Sequence, residues 1–349
     1  LVVAEEGPAC AALISATRPD LAALTPSQSA RDLGVLIDRL GGGAQVVLYG
    51  NSYGTFWAHR ALQLIPDRVD GAVLEALVPP DFTYHEFDWW MNEVGLQLLQ
   101  GCASSPICQA HLGDDAVGKA QGLRALLAGG HCPDLALSSP LHLMLGYLLY
   151  DNQTRALIPP LVHRVTRCDP GDVEAVQFLH DTWFGPEFAF IPADFAPMLY
   201  AHVVLSEIWG DGTLPDGQAL DVVSTQCSIC PGDRSELQAA RPGWPTYTPD
   251  AFDGSYAPWT GPLLLLHGGL DPAGSIVRAE AMAAQFTGTN QTFARFPTAG
   301  HTLLGSTLSG GADCARDLML QLVDDPNAVI DLSCIDGVAP VDLSGGAAS

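Results

Sequence analysis

The stretch from residue 44 to residue 80 constrains this chain more than any other. AQVVLYG (44–50) is a short apolar run with β-branched residues and reads as a buried strand. YGTFWAHRALQLI (53–65) has helical spacing until Pro66 stops it, and GAVLEAL (71–77) is a second apolar run closed by Pro79 and Pro80. Strand, helix and strand in that order make a parallel βαβ unit, which is almost always right-handed. Such a sheet is covered on both faces, so more strands and helices must be found elsewhere in the chain.

They lie on both sides of the unit. PSQSARDLGVLIDRL (26–40) opens on Pro26 and carries Leu33, Leu36, Ile37 and Leu40 on one helical face. After residue 254, GPLLLLHG (261–268) and QTFARF (291–296) read as strands, with helices around 275–286 and 312–323. Residues 81–254 differ: aromatic-rich, proline-broken helical segments hold five of the seven Trp and six of the nine Cys. The expected architecture is an α/β domain from residues 1–80 and 255–349, interrupted by a mostly helical cap over 81–254.

Composition excludes some functions. Thirty-nine acids face fifteen bases, a formal net charge of −24 with Lys119 the single lysine, and such a surface repels nucleic acid. No apolar run reaches the ~20 residues of a membrane span. The nine cysteines point to disulfides and hence to a secreted or luminal protein. Local pairs are Cys102 with Cys108, Cys227 with Cys230 in CSIC, and Cys314 with Cys334. Cys10, Cys132 and Cys168 are left over. Buried free thiols are the alternative. Structural zinc at CSIC is a weaker one, because no second CxxC follows, so no metal is expected.

The chemistry-bearing feature is Gly50-Asn51-Ser52-Tyr53-Gly54, a G-x-S-x-G between strand and helix. In that context the serine occupies a sharp turn with its hydroxyl exposed above the sheet edge. The Tyr53 amide, at the helix start, is aimed where an oxyanion would develop. A serine hydroxyl is a weak nucleophile and needs a base, which in turn needs an orienting acid. Asp271, after the 261–268 strand, and His301, after the 291–296 strand, supply both in the order Ser, Asp, His. A rival base is His267, which lies inside its strand run. The plain alternatives are helix capping for Ser52 and Asp271 and a core position for His301.

LYGNSYGTFWAHRALQLIPDRVDGAVLEALVPP resembles the secreted tripeptidyl aminopeptidase and prolyl iminopeptidase group of α/β-hydrolase serine peptidases. GPLLLLHGGLDPAGS, AGHTLL, the Cys314–Cys334 region and CASSPICQAHLG are similar to other parts of that group. The resemblance covers roughly 25–115 and 255–345. It implies an α/β-hydrolase fold with a cap, exopeptidase action on free peptide N-termini, and no metal or organic cofactor. In the group about four strands and a glycine-rich oxyanion loop precede the nucleophile strand. Here the elbow comes at residue 52, so N-terminal strands are expected to be missing, and a companion segment or chain is the implied partner, with Cys10 a candidate for bonding to it.

Recognition of a peptide ammonium calls for carboxylates in the cap. Glu207 in VVLSEIWG is the first candidate and resembles a cap acid of the group; Asp181 and Glu187 are others. Trp183, Phe184, Phe188 and Phe190 are candidates for an apolar pocket wall, or for ordinary core. Asn152-Gln153-Thr154 and Asn290-Gln291-Thr292 are glycosylation sequons. The same triad would serve an esterase or lipase, and a catalytically degenerate binding module is the non-enzymatic alternative.

Overall fold

The computed structural model describes residues 6–18, 20–84, 86–184, 196–210, 226–231 and 235–343. Four parallel strands form its sheet: β1 (Val47–Asn51), β2 (Gly71–Glu75), β3 (Leu263–Gly268) and β4 (Gln291–Phe296), side by side in that order. Sequence order and spatial order coincide, so all four carboxyl ends lie along one rim. The register pairs Asn51 with Glu75, Glu75 with Leu266 and Gly268 with Phe296.

β2 and β3 are wholly buried and, apart from Glu75 and His267, apolar, as expected of central parallel strands. Their side chains alternate between two faces. Leu74, Leu263 and Leu265 pack on one side with α2 (Pro26–Leu40) and α3 (Tyr53–Leu64). Val73, Leu264 and Leu266 pack on the other with the late helix Cys314–Asp324. α2 starts where Thr25 accepts a hydrogen bond from the Gln28 amide at 3.0 Å, with Pro26 at its first position. β1 has one neighbour among the described strands, and Tyr49 on it is 48% exposed. Ahead of β1 the described chain forms helices, α2 and α1 (Gly7–Thr17).

Residues 86–184 are helical: α4 (Glu86–Gln100), α5 (Pro106–Leu112), α6 (Ala116–Ala128), α7 (Leu141–Leu148), α8 (Ile158–Arg167) and α9 (Pro170–Phe184). They share a hydrophobic core of their own, into which Cys227, Ile229 and Cys230 insert. α10 (Pro197–Val203) runs on into a wider turn, Val204–Ile208, and packs against α1 and Trp244 in a separate cluster. The helical body and the sheet thus have different cores.

Four cysteine pairs stand at disulfide distance: Cys102–Cys108, Cys132–Cys168, Cys227–Cys230 and Cys314–Cys334. Three are the local pairs expected from the sequence. The fourth takes up two of the three leftover cysteines and ties the end of α6 to the end of α8, leaving Cys10 with a free thiol. No described helix is long and apolar enough to cross a membrane, and no cluster of three or more potential metal ligands occurs among the described residues.

Candidate active site

Ser52 joins β1 to α3 with φ 56° and ψ −125°. Non-glycine residues rarely hold such a conformation, which costs on the order of 1–3 kcal/mol and persists only where the surroundings impose it. The imposing contact is at Gly50. A Cβ there would lie 2.4 Å from the Gly54 carbonyl oxygen and 3.0 Å from the Thr55 nitrogen, so strand and helix can meet this closely only over a glycine. At Gly54 the corresponding space is open. The second glycine of the motif is therefore not sterically required by its described neighbours.

The Ser52 side chain does not cap α3. Its backbone is fixed instead: the Ser52 amide donates to the Glu75 carbonyl at 3.0 Å, and the Ser52 carbonyl accepts from the Thr55 amide and hydroxyl, both at 2.8 Å. The Tyr53 N–H, first in the helix, has no intrahelical acceptor.

Asp271 and His301 come together at the carboxyl ends of β3 and β4. His301 Nδ1 lies 2.9 Å and 3.1 Å from the two Asp271 oxygens. A carboxylate only accepts, so Nδ1 carries the proton and Nε2 is left with its lone pair. Asp271 is buried, and its Oδ1 also accepts from the Ala273 and Gly274 amides at 2.8 Å and 3.2 Å. Burial pushes this carboxyl up, but the charge and hydrogen bond of His301 outweigh it and hold Asp271 below the usual carboxylate range. For His301 burial disfavours the imidazolium, and the Asp271 carboxylate, joined by the charge of Glu75, more than reverses this, so its pKa stands above the ordinary 6.5. The Tyr150 ring meets the imidazole edge-on at 5.3 Å.

His267 is excluded as base by its bonds. Its Nδ1 accepts from the Leu77 amide and its Nε2 donates to the Gly274 carbonyl, each at 3.0 Å. Both nitrogens are used, the ring is fully buried, and burial lowers its pKa. It is a core strut between β2 and the Asp271 loop.

The loop after β4 folds back across the rim. The Leu303 and Leu304 amides donate to Glu75 Oε1 at 2.5 Å and 3.0 Å, at the end of β2. β2 is the neighbour of β1, so the His301 loop is anchored on the strand beside the one that carries Ser52. Ser52 and His301 share no hydrogen bond among those of the described residues; in ligand-free sites such bonds are often long and tighten on substrate.

From the helical body, Asn152 and Arg155 hold the same loop. Asn152 accepts from the Gly300 amide at 3.1 Å and donates to the Ser306 carbonyl at 3.3 Å, and Arg155 donates to the Thr298 carbonyl at 3.3 Å. Arg155 is fully buried, and burial lowers its pKa to about 10. A Cβ at Gly300 would lie 1.8 Å from its guanidinium. The Asn152 carboxamide, part of a glycosylation sequon, is thus taken up by the loop that carries His301.

Glu207, the first candidate for meeting a peptide ammonium, already has a cationic partner. Its side chain is 1% exposed and paired with Arg60 of α3 at 3.2 Å. Arg60 also approaches Asp250 at 3.5 Å and Asp253 at 4.0 Å, and donates to the Ser27 hydroxyl at 2.7 Å. Burial raises the Glu207 pKa against the pull of Arg60. The Tyr53 hydroxyl is pushed up first by burial and then by the Glu207 charge, so this cluster and the elbow feel each other. Asp181 is a solvated acid bonded to His180 and Gln177. Phe184 packs on the helical core and Trp183 is partly exposed, while Glu187, Phe188 and Phe190 lie outside the described residues.

Glu75, Arg60 and Arg155 were not visible as site residues in the sequence. The signals were local: a carboxylate inside GAVLEAL and Arg60 inside an otherwise apolar helical run, where a charge demands a buried partner; Arg155, after the polar run 151–154, carried none. No family model matches the chain, and no significant relative is found among curated proteins.

Proposed function

We propose that the chain is a serine hydrolase with an α/β-hydrolase core and a helical cap over 81–254, which removes residues from free peptide N-termini through an acyl-enzyme on Ser52. The observation that carries this reading is the strained turn at Ser52, on the same rim as a hydrogen-bonded Asp271–His301 pair. Strain of that kind is retained where it aims a side chain at a reaction. Four disulfide-distance pairs support an oxidising, secreted or luminal setting.

In this mechanism the substrate carbonyl sits above Ser52 with its oxygen toward the Tyr53 amide. His301 Nε2 takes the proton from Ser52 Oγ as the oxygen attacks the carbonyl carbon. Asp271 holds the ring and balances the imidazolium. The amide C–N bond then breaks, and His301 returns the proton to the departing amine. Water attacks the acyl-enzyme with the same base, releasing the N-terminal fragment as an acid and restoring Ser52. The Tyr53 amide stabilises both tetrahedral oxyanions; a donor of this kind is worth roughly 10²–10³ in rate.

Selection of an N-terminal ammonium would rest on the cluster around Arg60. One guanidinium faces Glu207, Asp250 and Asp253, and the last two side chains are 37% and 30% exposed. Since Glu207 is already neutralised by Arg60, Asp250 and Asp253 are the carboxylates still able to meet a cation.

The test is a substrate panel beside a fluorophosphonate probe. Ser52 should be the labelled residue, and Ser52→Ala should abolish both labelling and turnover of aminoacyl- and tripeptidyl-arylamides. Cleavage of short acyl esters but of neither arylamide class would replace the peptidase with an esterase. A protein that is neither labelled nor active would leave a binding module. Because protonation of His301 removes its lone pair, activity should rise with pH through a value above 6.5.

A further inference from the structure

We infer that Glu75 is a positioning residue: through its main chain and side chain at once, it sets the spacing between Ser52 and the loop that carries His301. This rests on the serine-hydrolase reading above. Glu75 is the last residue of β2 and is fully buried. Its carbonyl accepts from the Ser52 amide at 3.0 Å. Its Oε1 accepts from Leu303 and Leu304, two and three residues past His301, and its Oε2 accepts from the Tyr49 hydroxyl on the nucleophile strand. One residue therefore ties the strand of the nucleophile to the loop of the base.

Glu75 is in no ion pair of the described residues, so its charge is balanced by three neutral donors. A buried carboxylate of this kind is costly compared with a neutral isostere. Glutamine would fill the same space and accept from the same two amides, so shape alone does not call for the charge. The charge has a use next to His301. The groups facing that ring are Asp271 in direct contact, His267 behind Asp271 at 4.0 Å, Arg155 under Gly300 and the Tyr150 ring edge. Glu75 is the second carboxylate, and its field favours the imidazolium in the same direction as Asp271, after the opposing effect of burial. Geometry and charge can be separated by substitution.

Glu75→Gln keeps the size and the amide bonds but removes the charge. Glu75→Asp keeps the charge but withdraws the carboxylate by one methylene. The readouts are the His301 ring titration by NMR and the pH dependence of Ser52 labelling by a fluorophosphonate. For Glu75→Gln we expect both His301 titration and the acid limb of labelling to move to lower pH. For Glu75→Asp we expect the acid limb to stay while the labelling rate falls by roughly 10–100-fold, since a displacement near 1 Å at a reacting centre has that effect. A purely structural role would move neither titration. Wild-type titration in Glu75→Gln together with a wild-type rate in Glu75→Asp would overturn the proposal, as would loss of folding in both variants. If the wild-type protein is not labelled at Ser52 but Glu75→Gln still shifts His301, the hydrolase reading fails while the coupling through Glu75 stands.

Discussion

Gly50→Ala and Gly54→Ala form a matched pair with opposite expected outcomes. The added Cβ at Gly50 would meet three backbone atoms, at 2.4 Å, 2.7 Å and 3.0 Å, all in the first turn of α3. No side chain can swing aside, so the helix start must move, and Ser52 with it. Overpacking of this kind costs about 1–3 kcal/mol. A nucleophile displaced by about 1 Å loses on the order of 100-fold in rate. At Gly54 nothing lies within 4 Å, and the residue is helical. Alanine there should be neutral or stabilising by up to ~1 kcal/mol through helix propensity. Thermal unfolding and fluorophosphonate labelling kinetics, measured on both variants, separate the two effects. Gly50→Ala should lose a few degrees in Tm and label far more slowly, while Gly54→Ala should match the wild type in both. A Gly50→Ala protein that labels at the wild-type rate would refute the argument that this contact holds the elbow.

Three further outcomes are expected. Asp172 accepts from Arg167 at 2.7 Å, Arg164 at 3.0 Å and the Asp169 amide at 3.1 Å, and the Arg167 bonds lower its pKa to about 2. A depressed carboxyl stabilises above its unfolded value of 3.8 and loses this as pH falls through about 2. Asp172→Asn should therefore cost about 1–3 kcal/mol in urea unfolding at neutral pH, and much less near pH 2. Removing Cys132–Cys168, which spans 36 residues, should cost about 3–4 kcal/mol, more than removing the six-residue Cys102–Cys108 link, as denaturant midpoints of the paired serine variants would show. Folded protein from a eukaryotic secretory host should carry no glycan at Asn152, because its carboxamide nitrogen donates to Ser306; glycosidase treatment with peptide mass mapping checks this.

The elements whose signal is local were legible. α2 falls over 26–40 as its proline and terminal glycines dictate, although Leu36 and Leu40 of its expected apolar face are exposed and Pro26, Ser27, Ala30 and Gly34 are the residues it buries; all four strands lie within or close to the apolar runs assigned to them. The strand-end positions of Asp271 and His301 followed from those runs, and the two side chains do meet. What was not legible depends on contacts across the chain. Nothing near Glu75 in sequence announces the amides of Leu303 and Leu304, which arrive 228 and 229 residues later. Glu207 reads as a carboxylate for a peptide ammonium until Arg60, 147 residues earlier, is placed against it. Cys132 and Cys168 lacked a neighbour in sequence because one lies in the loop after α6 and the other caps α8, and only packing brings the two together. The sequon at Asn152 is three residues long and carries no information about the loop it would have to release.

The double hold on residues 298–306 has a mechanical consequence. Glu75 grips this segment from the sheet, while Asn152 and Arg155 grip it from the helical body, which also rests Tyr150 on the imidazole. A swing of the helical body at this point would pull on the loop that carries His301. On the proposed hydrolase reading, a gate that admits substrate would hinge elsewhere, with the 150–155 corner as a fixed pivot, and a cross-link between that corner and the His301 loop should leave turnover intact.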